Sequence, residues 1–313
     1  MFKTRLDPAP SIRFMTDAFS SADRFLLAEA RLLERRLFAT LFRGASPDAV
    51  VDVLRGYQNA DGGFGHGLEP DKRCPASLPI DVEIAFQAMA AAGTADAKML
   101  GRACDFLSRT AAEVDAGGAV PLAFPVIESF PRAEHWSDWT YEPGVNPTAG
   151  LAGLLYRLDF DHPWREAASR FCWHAVQTDA LPDEVHALAE VLAFLAHVPD
   201  RERAERYAPA VLERMAASPM YQAEPKDGEY GLSPLTVAPT ADSPWRRRFD
   251  DGQIEAHLDH LAAAQQPDGG WPITWTPPSE ASRLEWRGIV TLQALRTLTS
   301  YGRLSPAVAA GPA

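Results

Sequence analysis

Gln58-Asn59-Ala60-Asp61-Gly62-Gly63-Phe64 and Gln265-Gln266-Pro267-Asp268-Gly269-Gly270-Trp271 are two versions of one seven-residue phrase, 207 residues apart. The segment after each phrase returns as well, Ala85-Phe86-Gln87-Ala88 against Thr291-Leu292-Gln293-Ala294. A turn and its following segment that recur together mark an internal structural repeat. Asp followed by Gly-Gly is a turn that needs positive φ, and the aromatic residue closing it anchors the turn by burying its ring.

Working outward from these turns, apolar residues recur at helical spacing in about ten segments, and no stretch alternates with period two for long enough to make a strand. The pattern predicts an all-α protein with helices over 20–43, 47–58, 81–92, 96–114, 146–158, 163–178, 182–197, 201–217, 252–266 and 286–301. Ser46-Pro47-Asp48, Asn146-Pro147 and Pro199-Asp200 carry the cap and first-turn chemistry of helix starts. Short connections follow 43, 92, 158 and 197, and long ones of roughly 20 to 35 residues follow 58, 114, 217 and 266, a length that is usually functional when ordered. The helices after long loops are apolar nearly all round, as in Gly150-Leu151-Ala152-Gly153-Leu154-Leu155. Those between them carry charged faces, so the former belong inside and the latter outside. Repeats of about 50 residues that each bury a face on a neighbour can close into a ring.

The Gln-x-x-Asp-Gly-Gly-Phe/Trp turn between an outer and an inner helix resembles the repeat of triterpene cyclases and of protein prenyltransferase β-subunits. The resemblance implies an (α/α)5-6 toroid: a single domain over 1–302 followed by a disordered tail over 303–313. It implies that Gln58, Phe64, Gln265 and Trp271 tie adjacent helices together, and that the protein is an isoprenoid-active enzyme holding an apolar chain in a central cavity. The family's catalytic motifs are not present in their usual form. Asp159-Phe160-Asp161-His162 and Asp250-Asp251 with Glu255 stand nearest to its acidic motifs and read as helix caps. His66, Asp71 and Cys74 could form an open divalent-metal site but depart from the family's zinc spacing, so no cofactor is expected.

Composition narrows the partners. Thirty Lys+Arg against 42 Asp+Glu give a net charge of -12, which disfavours nucleic acid. No uncharged apolar run is long enough for stable membrane insertion, and three cysteines without CxxC spacing suit a reducing compartment, so a cytoplasmic location is expected.

Candidate chemistry concentrates on the long-loop side. Glu69, Asp71, Asp138 and Glu83 are the expected proton donors and acceptors: Pro70 limits the peptide between the first two, and Trp136 and Trp139 flank Asp138. His66, Trp136, Trp139, Tyr141, Trp271, Trp275 and Arg287 are the expected substrate-binding set, because loop tryptophans either pin loops down or wall a pocket. His186 and Glu190 share a helix face, for which a hydrogen-bonded buried histidine is the ordinary reading. Two other functions compete: a carbohydrate-active enzyme, since toroids also carry glycosidases and tryptophans with paired carboxylates suit sugars, and a non-catalytic binding protein.

If the repeat is structural, Gln265→Ala and Asp268→Ala each lower stability by ~1–3 kcal/mol through lost buried hydrogen bonds. Melting within about 1 °C of the parent would contradict the assignment.

Overall fold

The computed structural model describes residues 10–305, and it is all-helical, with no strand among them. Twelve α-helices run in order: α1 (Pro10–Glu29), α2 (Leu32–Arg43), α3 (Asp48–Arg55), α4 (Pro79–Ala92), α5 (Ala97–Glu113), α6 (Val145–Arg157), α7 (Pro163–Gln177), α8 (Val185–His197), α9 (Arg201–Ala216), α10 (Pro234–Val237), α11 (Asp251–Ala263) and α12 (Glu280–Ser300). Helix α2 packs on α4, α4 on α6, α6 on α8, α8 on the short α10, α10 on α11, α11 on α12, and α12 back on α2. The helices expected inside, α4, α6, α8 and α12, lie on this series, which also takes in α2, α10 and α11, and α6 is buried on nearly every side from Pro147 to Leu155.

Two boundaries differ from expectation for physical reasons. The stretch 20–43 is not one helix: the chain breaks at Arg31, whose backbone is extended (φ -62°, ψ 162°). That break lets the Arg31 guanidinium reach the Leu68 carbonyl at 2.7 Å and Glu34 at 2.6 Å, and it frees α1 to pack on α12 while α2 packs on α4. No Gly or Pro marks the site. Helix α12 starts at Glu280, six residues before the apolar pattern does, because Ser279 caps it by accepting from the Ser282 N–H at 3.1 Å. Other caps are as read: Asp200 accepts from Arg203, His162 from Trp164 and Asp250 from Gly252. Asn146 is the exception, with non-helical backbone.

The repeat turns are superimposable in their bonding. Gln58 Nε2 donates to the Gly62 carbonyl (2.9 Å) and across to Met99 in α5 (3.0 Å). Gln265 Nε2 donates to Gly269 (2.9 Å) and across to Ala18 in α1 (2.9 Å). Asp61 and Asp268 each accept from the N–H two residues on, at 3.0 Å. Gly62 and Gly269 have φ of 96° and 94°, and a Cβ there would lie 2.4 Å from the Arg102 carbonyl oxygen and 2.2 Å from that of Ser21. A third, unpredicted member of the series is Asp115-Ala116-Gly117-Gly118: Gly118 has φ 110° and presses on the Ala167–Ala168 backbone of α7.

The packed chain continues past the expected boundary at 302. Arg303 pairs with Asp259 at 3.0 Å and Leu304 is buried; residues 306–313 of the expected tail lie outside the described residues. Cys74, Cys104 and Cys172 are free and buried. No helix among the described residues is long and apolar enough to cross a membrane.

Gly269→Ala meets both a positive φ and a backbone atom that cannot yield, so chemical denaturation is expected to show a loss of about 2 kcal/mol or more.

Candidate functional site

Where the long loops meet the starts of α2, α4, α6, α8 and α12, they enclose a cavity of about 800 Å³. Its walls are mainly apolar side chains from α2, α4 and α12, capped on the loop side by Trp136, Trp139, Trp275 and Trp286. The rings brace one another: Trp136 and Trp139 lie 4.7 Å apart, and Trp275 meets Trp286 edge-on at 5.1 Å and Tyr230 at 5.7 Å.

Six carboxylates line this space, and they divide by whether a Lys or Arg neutralises them. Glu34 is held by Arg31, and Glu69 by the wholly buried Lys72, whose ammonium also lies 4.6 Å over the Trp136 ring. Glu184 caps α8 and contacts His186 Nδ1; its hydrogen bonds from His186 outweigh its burial and lower its pKa. His186 Nε2 lies 2.7 Å from the Tyr230 hydroxyl, so Glu184, His186 and Tyr230 form a continuous relay on the wall. Asp71, Glu83 and Glu190 have no such cation.

Asp71 is buried beside Glu69 and its Oδ1 accepts from the Trp286 indole at 2.8 Å. The Trp275 indole exerts a weaker pull without meeting hydrogen-bond geometry. Burial first, and then the neighbouring Glu69, push its pKa up to about 7. His135 Nε2 lies 3.6 Å from Asp71 Oδ2 with its side chain half exposed, a route for protons from solvent. Glu83 and Glu190 reach across from α4 and α8 to hydrogen-bond each other, and Gln87 adds a bond to Glu83 at 3.1 Å. Burial raises both pKa values, so the pair shares a proton. The room for it comes from α6 between them: a Cβ at Gly150 would lie 1.6 Å from Glu190 Oε2.

Of the residues expected from sequence, Glu69, Asp71, Glu83, Trp136, Trp139 and Trp275 therefore line one cavity. The others do not. Asp138 is exposed to solvent, because Trp136 and Trp139 turn inward and leave the residue between them facing out. His66 bonds Asn59 at 2.9 Å within the first repeat turn. Tyr141 donates to Glu128 and packs on the smaller core under the 119–144 loop. Trp271 is buried and donates to the Leu261 carbonyl at 2.7 Å, and Arg287 clamps both oxygens of Asp268 at 2.7 Å. Those two hold the second repeat turn together. Trp245, another loop tryptophan, is core and donates to Leu192. His66, Asp71 and Cys74 do not converge, and no group of three metal-ligating side chains stands among the described residues.

Glu190, Tyr230, His135 and Trp286 were not singled out from sequence as site residues. A signal existed for Glu190, an acid on an otherwise apolar helix with glycine-containing α6 packed against it. None existed for Tyr230, whose position depends on the path of a long loop.

No family model and no curated protein matches the sequence. Among solved structures, a crystal structure of a protein from Actinoplanes is similar over 90% of this chain and 99% of its own, with a TM-score of 0.55 and 19% identity. At that identity the likeness concerns the fold alone.

The raised Asp71 pKa has a thermodynamic consequence. Between about pH 4 and 7 the folded state holds a proton that the unfolded state releases, so the carboxyl's contribution is complete below pH 4 and is lost as pH rises through 7. Asp71→Asn keeps the acceptor for Trp286 but not the titration. The stability of this variant relative to the parent should therefore rise from pH 5 to pH 8, by at most ~1.4 kcal/mol per pH unit, in melts run across that range.

Proposed function

We propose that the twelve helices form a closed (α/α)6 toroid of six hairpins and that its cavity carries out proton-initiated chemistry on an apolar, isoprenoid-type substrate. The toroid is supported by the contact series that returns from α12 to α2, and by the repeat turn at Gln265 gripping α1. The function rests on one observation: Asp71, a buried carboxyl beside Glu69, accepts from the Trp286 indole in the wall of a mostly apolar cavity faced by aromatic rings, a setting that raises its pKa to about 7.

Such a group can act as a general acid at physiological pH. Asp71 gives its proton to a substrate double bond, whose π electrons form the new C–H bond and leave a carbocation. Four tryptophan faces stabilise that charge by cation–π attraction. Loss of a proton to His186 or back to Asp71 completes an isomerisation or cyclisation with no net redox change, and His135 passes protons between Asp71 and solvent. The excess of acids around Asp71 disfavours a diphosphate at that end, which separates this chemistry from diphosphate ionisation.

A carbohydrate substrate is the second reading, supported by the presence of carboxyls from different elements, Asp71 and the Glu83–Glu190 pair, beside tryptophan faces.

Incubation of the protein with isoprenoid alcohols, acids and hydrocarbons in D2O, followed by mass spectrometry, should show one deuterium incorporated into a product. Asp71→Asn should lower that rate by about 100-fold or more. Oligosaccharide cleavage, with no deuterium entering any isoprenoid, would replace the first reading by the second.

A further inference from the structure

The two ends of the cavity differ in charge. Its lining helices enter from the long-loop side, so residues late in each helix lie at the opposite end. On α12, Trp286 and Arg296 both line the cavity; at ~1.5 Å per residue they stand about 15 Å apart along the axis. Between them the wall is mostly apolar, with Ile84, Ala88 and Ala91 of α4 and Ile289 and Val290 of α12, and Gln87 and Gln293 as its polar members. The acids and indoles occupy one end of this passage, and Arg296 stands at the other.

Arg296 is half-buried, and among the described residues it has neither an ion pair nor a hydrogen bond. Other sequestered arginines of this chain are matched: Arg31 by Glu34, Arg165 by Asp161 and Glu166, Arg287 by Asp268. The charged neighbour of Arg296 is a second arginine, the exposed Arg157 at the end of α6, which also has no ion pair and is attracted by Asp242. Burial and mutual repulsion disfavour the charge on Arg296, and burial does so on Arg157. At the end of α8, burial with Arg157 and Arg201 lowers the His197 pKa to about 4, so the imidazole is neutral and offers the arginines no counter-charge. In a chain of net charge -12, a half-buried guanidinium that lines the cavity without a carboxylate partner, beside a second arginine, carries a cost that a bound anion would offset.

We propose that Arg296, backed by Arg157, binds the anionic head group of an amphiphilic substrate, a carboxylate or phosphate joined to an apolar chain, whose chain runs through the apolar belt to the acid and tryptophan end. A guanidinium presents a planar fork that suits either head group. The assignment rests on the cavity being the substrate site and orients the substrate in it: charged end at Arg296, reacting end at Asp71.

Calorimetric titration of the full chain with dodecanoate, dodecyl phosphate, dodecanol and inorganic phosphate tests it. The two anionic amphiphiles should bind about 10-fold or more tightly than dodecanol, a preference that shrinks with added salt. Arg296→Gln should abolish the preference and leave dodecanol binding unchanged, and Arg157→Gln should reduce it. Arg296→Met, which keeps the apolar stem, provides the same reading if the glutamine variant melts early. Whichever anionic amphiphile binds more tightly identifies the head group. Equal binding of dodecanol and dodecanoate by the parent, or a preference that survives both Arg296 variants, would overturn the proposal; so would inorganic phosphate binding as tightly as dodecyl phosphate. Because the titration reads binding by the parent and the arginine variants, and deuterium incorporation reads proton transfer, failure of head-group recognition is read separately from failure of proton-transfer chemistry.

Discussion

At the repeat turns a glycine with φ near 100° lays its bare Cα against the backbone of another helix, and in the Gln58 and Gln265 turns the neighbouring Gln and Asp side chains close the hydrogen bonds that the turn leaves open. Gly62 presses on α5, Gly118 on α7, and Gly269 on α1. No side chain fits at these points, so the distance between consecutive hairpins is set by backbone contact and not by side-chain packing. The last turn grips the first helix of the described chain. This brings α12 against α1 and α2, and it is why the cavity wall combines Arg31 and Glu34 from one end of the sequence with Trp286 and Ile289 from the other.

With the helices so spaced, the cavity collects more acid than its cations neutralise. Lys72 and Arg31 serve Glu69 and Glu34, and Glu184 is held by hydrogen bonds at the start of α8. Asp71, Glu83 and Glu190 lower the cost of burial by holding protons, which is what carboxyls do in a low-dielectric setting without a counter-charge. Glycine again makes the arrangement possible: Gly150 leaves the space in which Glu83 and Glu190 meet. The opposite imbalance stands at the far end, where Arg296 has no ion pair and its charged neighbour is Arg157. Proton-holding carboxyls at one end and an unmatched guanidinium at the other make the cavity polar along its length although most of its wall is apolar.

The elements legible in the sequence were those governed by local chemistry. The all-α class, the two full repeat turns, the caps at Asp200, His162 and Asp250, and the inward placement of the most apolar helices follow from spacing and side-chain type alone. So does the concentration of acids and tryptophans on the long-loop side, since the Gln58 and Gln265 turns direct the following segments toward one end of the helices.

What tertiary structure decided is which members of that set face inward. Asp138 lies between two cavity tryptophans and still points to solvent, because side chains adjacent along an irregular loop diverge. Trp271 and Arg287 are as aromatic and as charged as any cavity residue, yet the turn at Asp268 consumes both. The helix break at Arg31 carries no Gly or Pro, since it is imposed by two packing partners, α12 and α4, and by the Leu68 carbonyl. The pairing of Glu83 with Glu190 spans 107 positions and depends on an intervening glycine of a third helix. The sequence by itself determined helices, turns and their polarity, which depend on neighbours within a few residues. The acid pair, the Asp71–Trp286 bond and the place of Arg296 on the cavity wall depend on through-space distances that only the tertiary packing of the chain sets.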